Sequence, residues 1–202
     1  MKTAKQYDRA YFERWYRDDR TRVHARGALE RKVHFAVAAT EHLLERPIRS
    51  VLDVGCGEGV WQPLIHAMRP AARYAGVDSS EYAVRRFGRR RNLRLGTFGT
   101  LGEIGLEGPF DLIVCSDVLH YVPSAEIPRG LEVLAEMLTG VAFIEVFTGA
   151  DRIEGDLHEM KPRRPSLYDR WFSEAGLVHC GLYCFVRADF AAGITAFERG
   201  RG

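Results

Sequence analysis

The nine residues VLDVGCGEG, Val51 to Gly59, constrain this chain more than any other stretch. An apolar run rich in β-branched residues leads into Asp53. Glycines follow at alternate positions, Gly55, Gly57 and Gly59, and a helical pattern begins directly after them. Glycines at this spacing let the backbone turn tightly and let a ligand approach with no Cβ in the way. In open parallel sheets such ligands sit beyond the carboxyl ends of the strands.

The surrounding pattern supplies that sheet. From about Ser50 onward, strand and helix patterns alternate, which predicts an α/β, doubly wound architecture with helices on both faces. The expected strands are Ser50–Val54, Arg73–Val77, Leu93–Thr97, Asp111–Cys115 and Val141–Phe147. All are apolar in the manner of buried parallel strands. Helices are expected over Trp61–Met68, from Ser79 or Ser80 to about Arg89, over Arg129–Leu138 with Gly140 as the stop, and over Ser166–Ala175 with Gly176 as the stop. Beyond Gly176, Leu177–Val186 and Ile194–Arg199 are joined too briefly for a helical crossover, so they are expected as an antiparallel pair. Residues 5–18 and 24–45 read as two helices packed over one end of the sheet, the second with a stripe through Val33, His34, Val37 and Leu44. The division expected is a single domain over 1–202, with a helical cap at 1–46 and the sheet-bearing core at 47–202.

Two ligand classes suit a glycine-rich turn with a downstream acid: dinucleotides and S-adenosylmethionine. The dinucleotide fingerprint GxGxxG would require glycine at position 60, which is Val60. Asp53, two positions before the first glycine, lies outside that fingerprint and suits a cofactor carrying a cationic amine. Asp78, closing the second strand, stands where a carboxylate accepts bonds from ribose hydroxyls.

On these residues the sequence resembles the class I S-adenosylmethionine-dependent methyltransferases. Val51–Gly59 is similar to the family's first motif and Asp78 to its ribose-binding acid. FDLIVCSDVLHYV, Phe110 to Val122, is similar to its fourth-strand motif. The resemblance covers about Arg49 to the C-terminus and implies a Rossmann-like, seven-stranded, mostly parallel sheet with an antiparallel C-terminal strand. It implies S-adenosylmethionine as cofactor, held by Asp53, Gly55, Cys56, Gly57, Asp78, Ser79 and Ser116. Members often carry an Asp after the third strand for the adenine. Here the stretch is Leu95-Gly96-Thr97-Phe98, which leaves Thr97 to contact the base and Phe98 to pack on its face.

Catalytic candidates follow from the loop after strand four, where the family faces the transferred methyl. His120 is the first candidate base, since an imidazole titrates near neutral pH, and Asp117 the second. Tyr121, Glu145 and His158 are candidates to face the acceptor. Tyr11 and Tyr16, with Tyr7 and Trp15, are candidates for an aromatic lid.

Composition narrows the rest. With 46% hydrophobic and 28% charged residues and a net charge of +2, the chain is ordinary for a globular protein and shows no polyanion-binding balance. The four cysteines form no CxxC pair, so no metal site is expected. The charged start of the chain lacks a signal-peptide core, and no run approaches a membrane span. A cytoplasmic protein is expected. The Arg85–Arg94 run raises an alternative, an RNA or protein methyltransferase docking through it, but nucleic acid is the disfavoured partner. No AsnProProTyr-like motif follows strand four and no ProCys nucleophile is present. A non-catalytic cofactor-binding module is the other alternative. The reading reached is methyl transfer to an oxygen or nitrogen of a small-molecule acceptor, with monomer and homodimer both open.

Overall fold

A computed structural model describes residues 5–18, 27–152, 156–195 and 198. Seven strands, β1 (Ser50–Val54), β2 (Arg73–Asp78), β3 (Leu93–Leu95), β4 (Phe110–Ser116), β5 (Leu138–Glu145), β6 (Leu177–Gly181) and β7 (Cys184–Arg187), form one sheet in the order β3-β2-β1-β4-β5-β7-β6. All neighbours pair in parallel except β7, which runs against both β5 and β6. The winding reverses between β1 and β4, and the chain returns from β3 at one edge to β4 in the middle.

The helices are α1 (Arg9–Phe12), which continues as a π-helical turn over Glu13–Arg17, α2 (Ala28–Leu44), α3 (Trp61–Met68), α4 (Glu81–Arg91), α5 (Ile127–Met137), α6 (Pro165–Glu174) and α7 (Ala188–Ala191). Strand periodicity assigns the two faces. In β4 and β5, Ile113, Cys115, Ala142 and Ile144 pack with Leu131, Leu134, Tyr168, Trp171 and Phe172 of α5 and α6. Leu112, Val114, Val141 and Phe143 point the other way, onto Val33, Ala36 and Val37 of α2 and Trp61 and Ile65 of α3. Helices therefore cover both faces, as expected. Ile113 is wholly buried, so Ile113→Ala would cost about 2–5 kcal/mol.

Several boundaries differ from the sequence reading. α2 does not sit over the end of the sheet; it is a layer helix, because its buried stripe of Val33, Ala36, Val37 and Thr40 fits one sheet face. His34 is off that stripe and exposed. Among the described residues of the two expected helices, the short α1 and its π turn join neither core layer. Positions 24–26 of the expected second helix lie outside the described residues.

Gly140 does not stop a helix. α5 passes straight into β5, and Gly140 is a strand residue where an added Cβ would stand 2.3 Å from the Asp111 carbonyl. Leu177–Val186 is not one strand but the β6–β7 hairpin, turning at Leu182 and Tyr183 with φ of +48° and +67°. Two left-handed residues in a two-residue connection match strand twist, and here neither is glycine. Ile194 and Thr195 belong to no strand, while positions 196, 197 and 199 of that expected strand lie outside the described residues. The pairing expected of it is made inside the hairpin.

Candidate active site

The glycine loop is built as one unit with the end of β2. Gly55, Gly57 and Gly59 all have positive φ, +72°, +53° and +71°. A Cβ on Gly55 would meet Val118 Cγ2 at 2.2 Å. The N–H groups of Gly55 and Cys56 both donate to the Val77 carbonyl, at 2.7 and 3.1 Å. Gly57 N–H donates to Asp78 Oδ2 at 2.7 Å, and Ser80 N–H to Asp78 Oδ1 at 2.8 Å. Ser80 Oγ then accepts from Ala83 N–H and caps α4. Burial raises the Asp78 carboxyl above its ordinary value against the pull of these two N–H bonds.

Beyond the strand ends lies a cavity of about 330 Å³. Its floor is Val54, Gly55, Gly57, Asp78, Ser79 and Gly96–Phe98. Asp117, Val118, Tyr121 and Val122 form one wall. Tyr7, Tyr11, Phe12 and Tyr16 form the roof, with Glu159 and Lys161 at the rim. A second cavity of about 310 Å³ is lined by Asp53, Cys56, Glu58, Trp61 and Ser116 under Trp15, Tyr16 and Arg17. Gly55, Asp117 and Tyr16 line both, so the two are lobes of one elongated site that meet at these three residues. Arg17 Nη2 donates to both Glu58 carboxylate oxygens at 2.6 Å and straps the second lobe.

The electrostatics are acidic. Asp53, 2% exposed, accepts a bond from Tyr74 Oη at 2.6 Å. Burial pushes its pKa up to about 7; the Tyr74 bond opposes that and the charge of Asp78 adds to it. Burial first, and then neighbouring carboxylates and phenols, Asp156 among them in each case, raise the phenols of Tyr7, Tyr11 and Tyr121. These hydroxyls stay protonated.

Asp53, Gly55, Cys56, Gly57, Asp78, Ser79, Thr97, Phe98, Ser116 and Asp117 all line one lobe or the other, as do Tyr11, Tyr16 and Tyr121. His120 does not. Its side chain is 1% exposed, packed between Tyr121 and Phe147, with Nε2 3.2 Å from Asp117 Oδ1. The expectation of a cavity-facing imidazole is corrected, because its ring turns inward behind Asp117. Glu145 is likewise engaged, with Lys32 Nζ at 2.5 Å and Ser116 Oγ at 2.6 Å. His158 lines an outer surface depression together with Tyr11. The sequence reading missed Arg17, Glu58, Glu126 and Lys161. Glu58 carried a signal, since it lies inside the glycine motif; the other three had none.

Arg85, Arg86, Arg89 and Arg90 are exposed on α4, and none of them lines either lobe. Arg86, Arg90 and Arg91 gather about the Phe87 ring, and Arg91 and Arg94 donate to the Glu58 and Gly105 carbonyls. Among the described residues no group of His, Cys, Asp and Glu side chains could hold a metal ion. Nor is any described helix long and apolar enough to cross a membrane.

The family described as "Methyltransferase domain" matches residues 20–191 of the sequence. The chain belongs to this family. Its fold is the class I, S-adenosylmethionine-dependent methyltransferase fold that the glycine loop led us to expect. The trans-aconitate 2-methyltransferase of Deinococcus radiodurans is 35% identical over 106 residues, covering 50% of this chain and 39% of that protein. The chain spans 28% to 42% of the length of the curated relatives it matches. Among solved structures, the sugar N-methyltransferase KedS8 from Streptoalloteichus sp. ATCC 53650 superposes with a TM-score of 0.60 at 16% identity, over 77% of this chain and 86% of that one. A SAM-dependent methyltransferase from Archaeoglobus fulgidus gives 0.60 at 14% identity, over 83% and 73%. At those identities the likeness is one of fold.

The methyltransferase's own residues fit the cofactor. Gly55 and Gly57 present bare backbone to the first lobe, and each lobe carries a carboxylate, Asp78 in one and Asp53 in the other. The aromatic Phe98 and the hydroxyl of Thr97 lie beside Asp78 in the first lobe.

Proposed function

We propose that this protein methylates an oxygen or nitrogen atom of a small-molecule acceptor held beside Asp117. Asp117 carries the reading: it lines both lobes where they meet, its side chain is 27% exposed, and its backbone is left-handed at φ +65°. A non-glycine residue held there is strained, and such strain clusters at functional sites.

Asp78 would hold the ribose, Thr97 and Phe98 the adenine, and Asp53 the ammonium of the amino-acid end. When bound, the cofactor supplies a methyl group already activated on sulfonium. The chain's remaining work is orientation, exclusion of water and, for a protonated acceptor, removal of a proton. Tyr7, Tyr11, Phe12 and Tyr16 close the roof over the first lobe. Asp117 takes the acceptor's proton or holds its charge, with His120 Nε2 3.2 Å behind one carboxylate oxygen.

Lobes of about 330 and 310 Å³ leave room for a small acceptor beside the cofactor, and a sugar N-methyltransferase of similar fold and the related trans-aconitate methyltransferase both act, by name, on small acceptors. Incubation with isotope-labelled S-adenosylmethionine and pooled amines, alcohols and carboxylic acids, read by mass spectrometry, tests the proposal. A small product gaining one labelled methyl is expected. Label found only in added RNA or protein would overturn it.

A further inference from the structure

The ammonium of Lys5 is almost wholly enclosed, with its side chain 4% exposed, although Lys5 lies in an irregular segment ahead of α1. Its Nζ stands 3.7 Å from the centroid of the Tyr121 ring, and 5.1 and 5.3 Å from those of Tyr7 and Tyr11. Asp156 Oδ2 is 2.7 Å away, and the His158 carbonyl accepts a bond at 3.3 Å. Ring faces attract a cation through their quadrupole, and a carboxylate bonds it with charge assistance. These are the elements by which an organic ammonium is recognised.

Much of this cage stands apart from the Lys5 segment. Tyr121 follows β4, and its hydroxyl donates to the Asp156 carbonyl at 2.5 Å; Asp156 and His158 belong to the loop before α6. The cage also has a position. Tyr7, Tyr11 and Tyr121 line the lobe that contains Asp117, whereas Lys5, Tyr11, Asp156 and His158 line an outer depression of about 420 Å³. Lys5 therefore sits between solvent and the reaction site. The charge of that lobe points the same way: among the described residues Asp78, Asp117, Glu126 and Glu159 line it against Lys161, whose Nζ is engaged by the Tyr121 and Glu159 carbonyls.

We propose that this cage is the acceptor's ammonium subsite, that Lys5 occupies it as a stand-in for a substrate amine, and that the acceptor carries an alkylammonium group. The inference rests on the methyltransferase reading above and names the acceptor's class. The test titrates n-propylammonium into the wild-type protein, Lys5→Ala and Lys5→Ala/Asp156→Asn, read by calorimetry and ligand-observed NMR, with n-propanol and propionate as controls. Lys5→Ala should bind propylammonium at least about tenfold more tightly than wild type, the added Asp156→Asn should remove the gain, and neither control should bind. Equal affinity for wild type and Lys5→Ala, or no saturable binding to either, overturns the proposal.

A second measurement needs no variant. In wild-type protein with isotope-labelled lysine, the ring-current-shifted Lys5 resonance should move toward a solvent-exposed value as propylammonium is added, and a fixed resonance counts against displacement. Adenosylhomocysteine is titrated into the same samples. If wild type fails to bind it, the methyltransferase reading falls; if it binds and propylammonium gains nothing in Lys5→Ala, only the cage falls.

Discussion

His120 Nε2 lies 3.2 Å from Asp117 Oδ1, while the Phe147 N–H is directed at His120 Nδ1 from 3.5 Å. The two ring nitrogens are thus faced by the Phe147 backbone and by the Asp117 carboxylate, and the ring lines neither lobe of the site. His120 positions the carboxylate.

The two residues should separate experimentally. Asp117→Asn is expected to lower turnover by about 10²–10⁴-fold on an acceptor that must lose a proton, with the melting temperature little changed. His120→Ala is expected to lower stability by about 1–3 kcal/mol, since it strips a buried bond and leaves the Phe147 N–H unpaired. Thermal denaturation and steady-state rates on both variants check this. A His120→Ala protein of normal stability with no turnover would return the role of base to the imidazole.

Asp78→Ala should weaken adenosylhomocysteine binding by about 1.5–3 kcal/mol, roughly ten- to a hundredfold, through lost charge-assisted bonds to the ribose. Part of the loss comes from the glycine loop itself, because Gly57 N–H donates to Asp78 Oδ2. Calorimetry reads the effect, and an unchanged dissociation constant would remove Asp78 from the ribose site.

Asp53, with its pKa near 7, makes cofactor affinity depend on pH. Below about 7 the buried carboxyl is neutral and cannot pair with the cofactor's ammonium; above it the carboxylate can. Affinity for adenosylhomocysteine should climb from pH 5 to about 7 and then level off, and Asp53→Asn should bind weakly with a flat profile. Stability of the ligand-free protein runs the opposite way. The folded state holds a proton that the unfolded state has released above about pH 3.9, so this group's contribution falls as pH rises from there to about 7. A wild-type affinity independent of pH between 5 and 7 would show that Asp53 does not meet the ammonium.

Gly55→Ala should both destabilise the protein and abolish measurable cofactor binding. The position has φ +72°, and the new Cβ would lie 2.2 Å from Val118 Cγ2. Left-handed strain alone costs about 1–3 kcal/mol. Adding Val118→Ala should remove the clash and restore part of the melting temperature but not all of it. Full restoration would mean that the backbone conformation is not a constraint.

The floor of the site was legible in the sequence because it depends on local chemistry. Gly55, Gly57 and Asp78 declare themselves through spacing within a strand–turn–helix unit, and Ser80 through its helix-capping role. The roof was legible only as residue types. Tyr7, Tyr11, Trp15 and Tyr16 form a set of aromatics that ordinary helix packing would also produce. Arg17 and Glu58 are 41 positions apart, and Lys5 and Asp156 farther still, so nothing in the chain announces that they meet. His120 was misjudged because its place after β4 is a matter of sequence, whereas the direction of its ring is decided by Tyr121, Phe147 and Asp117 packing about it. The β6–β7 turn was hidden for another reason: Leu182 and Tyr183 adopt left-handed backbone without the glycine or asparagine that usually reveals it.

The reversal of winding between β1 and β4 has a consequence for how the protein holds together. Asp53–Gly57, Asp78–Ser79 and Gly96–Phe98 come from the half of the sheet laid down first, and Ser116–Val118 and Tyr121–Pro123 from the half laid down second. A molecule lying along the site touches both halves at their seam and so acts as a non-covalent staple between them. At a concentration a hundred times its dissociation constant, it would add about 2.7 kcal/mol to the stability of the native state. Hydrogen-exchange protection gained on binding should then spread into the β1 and β4 amides at the seam, well beyond the loops that touch the molecule.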